Sequence, residues 1–92
     1  MEQVYLITYD IDNSEDNSET YDKVIEYLEK MNSQRILINV WLMKSSKSKK
    51  ILLSDLKNMT AEEDGIAIAP LKGAPSLNYP QKGSFAWIKD NF

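Results

Sequence analysis

Residues 4–11 read Val-Tyr-Leu-Ile-Thr-Tyr-Asp-Ile, and this run limits most sharply what the chain can become. In an extended strand its even positions (Val4, Leu6, Thr8, Asp10) face one way and its odd positions (Tyr5, Ile7, Tyr9, Ile11) the other. Neither set turns polar before Thr8 and Asp10, so both faces are expected to be covered, as in the middle of a sheet. Asp10 then stands at the C-terminal edge of a central strand, where sheet proteins commonly hold ligands.

The residue types that are missing narrow the chemistry. The 92 residues include no cysteine and no histidine. Disulfides, thiolate and imidazole metal ligands, and nucleophiles activated by histidine are therefore excluded. Chemistry is left to carboxylates, lysine, arginine, tyrosine and hydroxyls, with an oxygen-bound cation as the metal. No apolar run approaches the roughly 20 residues of a membrane span. The N-terminus opens with Glu2 and no basic region, which argues against a secretory leader. A cytoplasmic protein without a membrane partner is expected, with residues 1–92 forming one domain around one modest core.

A net charge of -3 argues against a general nucleic-acid binder. The charge is uneven, however. Between Asp10 and Glu29 there are eight acidic residues and one lysine, and between Lys44 and Lys57 five lysines and one acid. One acidic and one basic surface are expected.

Along the chain, the polar stretch 12–17 reads as a loop, with Ser18 as N-cap of a helix. Tyr21, Val24, Ile25, Leu28 and Met31 recur at helical spacing, and Glu26 with Lys30 makes an i,i+4 pair on the exposed side. Gln34 to Lys44 is β-rich, either one long strand or two short ones meeting near Asn39. Ile51, Leu52, Leu53, Leu56 and Met59 form a second helical stripe. Ile66 to Leu71 reads as a strand, and Pro70 places it at an edge or a strand end. Residues 72–84, with Gly73, Pro75, Pro80 and Gly83, read as a loop, and 85–88 (Phe-Ala-Trp-Ile) as a short terminal strand.

Two strand–helix–strand crossovers in so short a chain predict an α+β, ferredoxin-like sandwich: an antiparallel sheet with two helices on one face. Its other face is apolar as well, and a homodimer through that face would cover it.

The strand ending Tyr9-Asp10-Ile11, the segment containing Val40-Trp41-Leu42 and the strand opening Asp64-Gly65-Ile66 resemble the smaller CRISPR adaptation protein, the Cas-two family. The SinR-like relatives of that family are a closer match through Val40-Trp41-Leu42 and the late aromatics Phe85-Ala86-Trp87, and VapD-type ribonuclease toxins share the general fold. The resemblance implies a ferredoxin-like homodimer and a nuclease acting on RNA or DNA with Mg²⁺ or Mn²⁺. It also implies that Asp10 is the catalytic and metal-binding residue, paired with Asp10 of a second subunit. Residues 14–19 here are acidic and polar where the family is often basic.

Asp10 is thus either a metal ligand that activates water or a strand-end carboxylate that bonds turn amides. Asp12 and Asp16 stand near it, without the Gly and Glu of a calcium loop. Lys44, Lys47, Lys49 and Lys50 are the candidate nucleic-acid contacts, or else a solvated face. Arg35 is expected to pair with an acid of the first helix, and Trp41 and Trp87 to pack rather than stack on bases. Two functions remain: a metal-dependent nuclease, or a non-catalytic dimeric module that binds a protein partner in a CRISPR, toxin or phage counter-defence setting.

Overall fold

A computed structural model describes residues 1–11 and 18–92. The chain runs β1 (Gln3–Asp10), α1 (Ser18–Glu29), β2 (Ser33–Leu37), β3 (Val40–Ser45), α2 (Lys49–Lys57), β4 (Gly65–Leu71) and α3 (Ser84–Asn91). The strands form one antiparallel sheet in the order β2-β3-β1-β4. β1 is central, pairing with β3 from Gln3↔Ser45 to Thr8↔Val40 and with β4 from Val4↔Leu71 to Asp10↔Gly65. Each strand–helix–strand connection skips one strand: α1 carries the chain past β3 to β2, and α2 carries it past β1 to β4.

The odd residues from Tyr5 of β1 to Ile11 just beyond it explain why both helices lie on one face. Tyr5, Ile7, Tyr9 and Ile11 are buried in one cluster with Trp41 and Met43 of β3, Val24 and Leu28 of α1, and Leu52 and Leu56 of α2. Each helix contributes an i,i+4 pair, as its stripe predicted. Burying such a side chain stabilises by roughly 1.5–3 kcal/mol. That burial, rather than intrinsic propensity, holds α2 together. Its nine residues fall short of the ~12–15 an isolated helix needs. Ser48 caps it, its hydroxyl accepting the Ile51 N–H at 3.3 Å.

The β-rich stretch 34–44 divides in two. Leu37 faces Val40 across a turn of Ile38 and Asn39, and the register slips between Arg35 and Leu37. Neither turn residue has a positive φ, so this is not the primed turn that matches strand twist by itself. The irregularity in β2 takes up the difference.

The terminal strand expected at 85–88 is instead part of α3. Ser84, Trp87, Ile88 and Asn91 turn inward, while Phe85, Ala86, Lys89 and Asp90 are exposed. This is the i, i+3, i+4, i+7 spacing of a helix. The aromatic and β-branched composition of 85–88 favoured a strand, and polar Ser84 and Asn91 concealed the helical period. The loop before it follows the sequence reading, except that Ser84 opens the helix.

Residues 72–83 join β4 at one edge of the sheet to α3 near β2 at the other. The Gln81 N–H donates to the Ile36 carbonyl at 2.9 Å, and Gln34 Nε2 to the Lys82 carbonyl at 3.1 Å. Gly83 sits at φ 90°, where a Cβ would lie 3.2 Å from Gln34 Oε1, so both conformation and space call for glycine. Gln34 is opposite Leu42 in the register, on the face that α1 and α2 leave open. On that face Leu42 is 0% exposed and Ile36 1%. The chain's own C-terminal quarter therefore covers the β2–β3 half of the second face, which the sequence reading had left bare. The β1–β4 half remains accessible, with Leu6 and Thr8 half-buried and Gly65, Ala67 and Ala69 exposed.

Candidate functional site

Asp10 closes β1 opposite Gly65 and is exposed. A cavity of about 250 Å³ adjoins it, lined by Thr8, Tyr9, Asp10, Gly65, Ile66 and Ala67. Among the described residues no group of three or more acidic, histidine or cysteine side chains is placed to hold a metal. Asp12 and Asp16, and the turn amides that Asp10 was expected to bond, lie outside the described residues.

The four candidate lysines do not gather at one place. Lys44 faces Val4, six residues back along β1 from Asp10 and so about 20 Å away at ~3.3 Å per residue. Lys47 is engaged, its Nζ donating to Asp55 Oδ2 at 3.0 Å. Lys49 and Lys50 open α2 and border a cavity of about 360 Å³ with Leu53, Ile66, Ala67 and Ile68. Sequence proximity had grouped them, but a strand end, a tight turn and a helix start point them apart.

Asp55 also accepts the Tyr27 hydroxyl at 2.8 Å, which ties α1 to α2. The bond from Lys47, followed by that from Tyr27, holds its carboxyl below the usual carboxylate range. Burial, and then Asp55 itself, push the Tyr27 hydroxyl well above its ordinary value. A depressed folded pKa means that Asp55 stabilises above the unfolded value of about 3.9 and loses that contribution as pH falls through the folded value. The pair is half-exposed, so Asp55→Asn is expected to cost only about 0.5–1 kcal/mol at neutral pH. Wild-type and variant melting curves should converge below about pH 4. An undiminished gap in acid would assign the loss to packing instead.

The densest polar constellation centres on Arg35. Its guanidinium Nη2 donates to Tyr9 Oη at 3.2 Å and to Tyr21 Oη at 2.9 Å. Trp41 Nε1 donates to the same Tyr9 oxygen at 3.1 Å. The guanidinium carbon stands 5.3 Å from the centre of the Trp41 ring, within cation–π range. Tyr9 and Tyr21 meet edge to face at 6.2 Å. Burial works against the Arg35 charge, but the bonds and field of Tyr9 and then Tyr21 outweigh it and raise its pKa. Among the described residues the buried Arg35 Nε has no partner.

The ion pair expected between Arg35 and an acid of α1 is not formed among the described residues; two tyrosine hydroxyls take its place. Tyr9, beside Asp10 in β1, is 5% exposed, and its oxygen is engaged by two donors. Trp41 packs in the core, and Trp87 Nε1 donates to Asn32 Oδ1 at 3.0 Å. Sequence reading missed the Arg35 knot because it depends on cross-strand register: Arg35 faces Trp41, which faces Ile7, two residues from Tyr9.

Comparisons with family models, with curated proteins and with solved structures return no match.

Proposed function

We propose that the protein is a non-catalytic interaction module, a ferredoxin-like sandwich that forms a homodimer through the open half of its second sheet face. The observation that carries this reading is the surface formed by Leu6, Thr8, Ala67 and Ala69. These residues are apolar or small, lie on neighbouring strands in register, and are half-buried (Leu6, Thr8) or exposed (Ala67, Ala69), with no described helix packed over them. A sheet surface of this kind buries well against a copy of itself, because small side chains let two sheets approach closely.

Light scattering at tens of micromolar protein should give about twice the 10.6 kDa chain mass. Ala69→Arg should give the single-chain mass with unchanged circular dichroism. A wild-type protein that stays a monomer at that concentration contradicts the proposal.

One observation favours the nuclease as a second reading. Asp10 lies at the rim of the same open half-face, so a two-fold axis through it would bring two Asp10 carboxylates towards each other. Such a pair suits Mg²⁺ or Mn²⁺, which would activate water and neutralise charge on a scissile phosphate of RNA or DNA. Cleavage would then require the metal, stop with EDTA, and vanish in Asp10→Asn with the dimer intact. Wild-type protein that cuts no RNA or DNA with either metal removes this reading and leaves the interaction module standing.

A further inference from the structure

Among the described residues β4 is an edge strand, paired with β1 alone. Its seven residues, Gly-Ile-Ala-Ile-Ala-Pro-Leu, carry no charge. Edge strands are usually protected against further pairing by charge, proline, a bulge or a covering element. Here the one such device in the strand is Pro70, next to its last residue. Pro70 has no N–H to give to β1, which places its nitrogen side outward. With a period of two, the N–H and C=O groups of Ile66 and Ile68 then point outward as well.

The wall beside this edge is basic. Lys49, Leu53 and Lys57 lie at i, i+4 and i+8 on α2 and so share one helix face. The cavity of about 360 Å³ bordered by Lys49, Lys50 and Leu53 continues into another of about 240 Å³ bordered by Leu53 and Lys57, and both reach Ile66. Among the described residues Lys49, Lys50 and Lys57 form no ion pair. The first turn of α2 contains no acid, so Lys49 and Lys50 oppose the helix dipole without compensation. Glu62 and Asp64 stand at the far end of the channel, which gives it a polarity, basic beside Ile68 and acidic beyond Ile66.

We propose that this channel binds an extended acidic polypeptide segment, which adds to β4 as a fifth strand. The main-chain edge supplies the ladder, Leu53, Ile66 and Ile68 supply the apolar floor, and Lys49 and Lys50 receive the carboxylates. Alternate residues of the segment are acidic on the helix side, and those between them are small or aliphatic beside Ala67 and Ala69. A second copy fits poorly, because pairing β4 with β4 brings two like-charged lysine sets onto one edge. A phosphate backbone fits poorly too, since it has no N–H and C=O ladder to offer. The site goes beyond the proposed dimer: it lies along the edge of β4 and meets the dimer face only at its border, beside Ala67 and Ala69.

The test uses the full chain and a labelled, end-capped hexapeptide of alternating valine and glutamate. Binding is followed by fluorescence anisotropy, and amide hydrogen exchange is followed residue by residue. The expected result is saturable binding that slows exchange at Ile66 and Ile68. Methylating alternate peptide nitrogens, or replacing glutamate by lysine, should abolish it. Lys49→Glu with Lys50→Glu should weaken binding about ten-fold, two surface ion pairs being at stake. Both lysines are exposed, so the variant is expected to fold, and circular dichroism verifies this. Unchanged exchange at Ile66 and Ile68, or equal binding of the methylated peptide, would overturn the proposal. So would a thymidine oligonucleotide that displaces the peptide and shows the same lysine dependence. Light scattering on the same samples separates the two readings: a monomer that still binds the peptide defeats the dimer and upholds this site.

Discussion

Leu42→Ala is expected to destabilise the protein by about 2–5 kcal/mol, the range for emptying a fully buried leucine site. Leu42 is 0% exposed, although α1 and α2 pack on the opposite face of its strand. Its cover is the segment 72–83 together with α3, so the size of the loss measures how firmly that cover is seated. Leu6→Ala is the natural control, on the same face but in the open half. It should cost less than about 1.5 kcal/mol, because a half-buried side chain leaves little cavity behind. Urea unfolding of both variants provides the comparison, and a Leu42→Ala loss no larger than that of Leu6→Ala would show the cover to be loose.

The second large effect is expected at Tyr9→Phe. The change removes one oxygen and keeps the ring, yet that oxygen accepts from both Arg35 and Trp41. A buried donor without a partner costs about 1–3 kcal/mol; Trp41 Nε1 is left so, while the part-buried Arg35 Nη2 loses one bond and keeps Tyr21. Arg35→Met in the Tyr9→Phe background should recover part of the loss, because removing both partners is gentler than orphaning one. Equal effects of the single and double variants would mean that the Arg35 bond contributes little. A Tyr9→Phe protein as stable as wild type would show that water replaces the hydroxyl.

Much of the fold was legible because it rests on local period. The apolar run of β1 marked a central strand, though its second face is only half covered at Leu6 and Thr8, and Val24 with Leu28 and Leu52 with Leu56 marked the buried stripes of α1 and α2. Pro70 marked an edge or a strand end, and β4 is an edge strand. Phe85 to Ile88 misled for a local reason as well, since their propensity favours strand while the deciding positions, Ser84 and Asn91, are polar. The candidate site was less legible because it depends on register and strand order. The lysines are neighbours in sequence, yet Lys44 ends at the far end of the sheet from Asp10 and Lys47 is bound to Asp55. The Arg35 knot gathers residues from β1, α1, β2 and β3, and no short motif announces such a meeting.

The bonds that fasten α3 have a consequence for biosynthesis. Asn32 Nδ2 donates to Asn91 Oδ1 at 3.0 Å across 59 residues of chain. Residues 72–92 are translated only after every strand has been made, and at roughly 5–20 residues per second that takes about 1–4 s. During that interval Leu42 and Ile36 lack their cover, and a nascent sheet shows an apolar face wider than the finished protein ever does. A chaperone that binds exposed aliphatic side chains has its opening then, before the last helix docks.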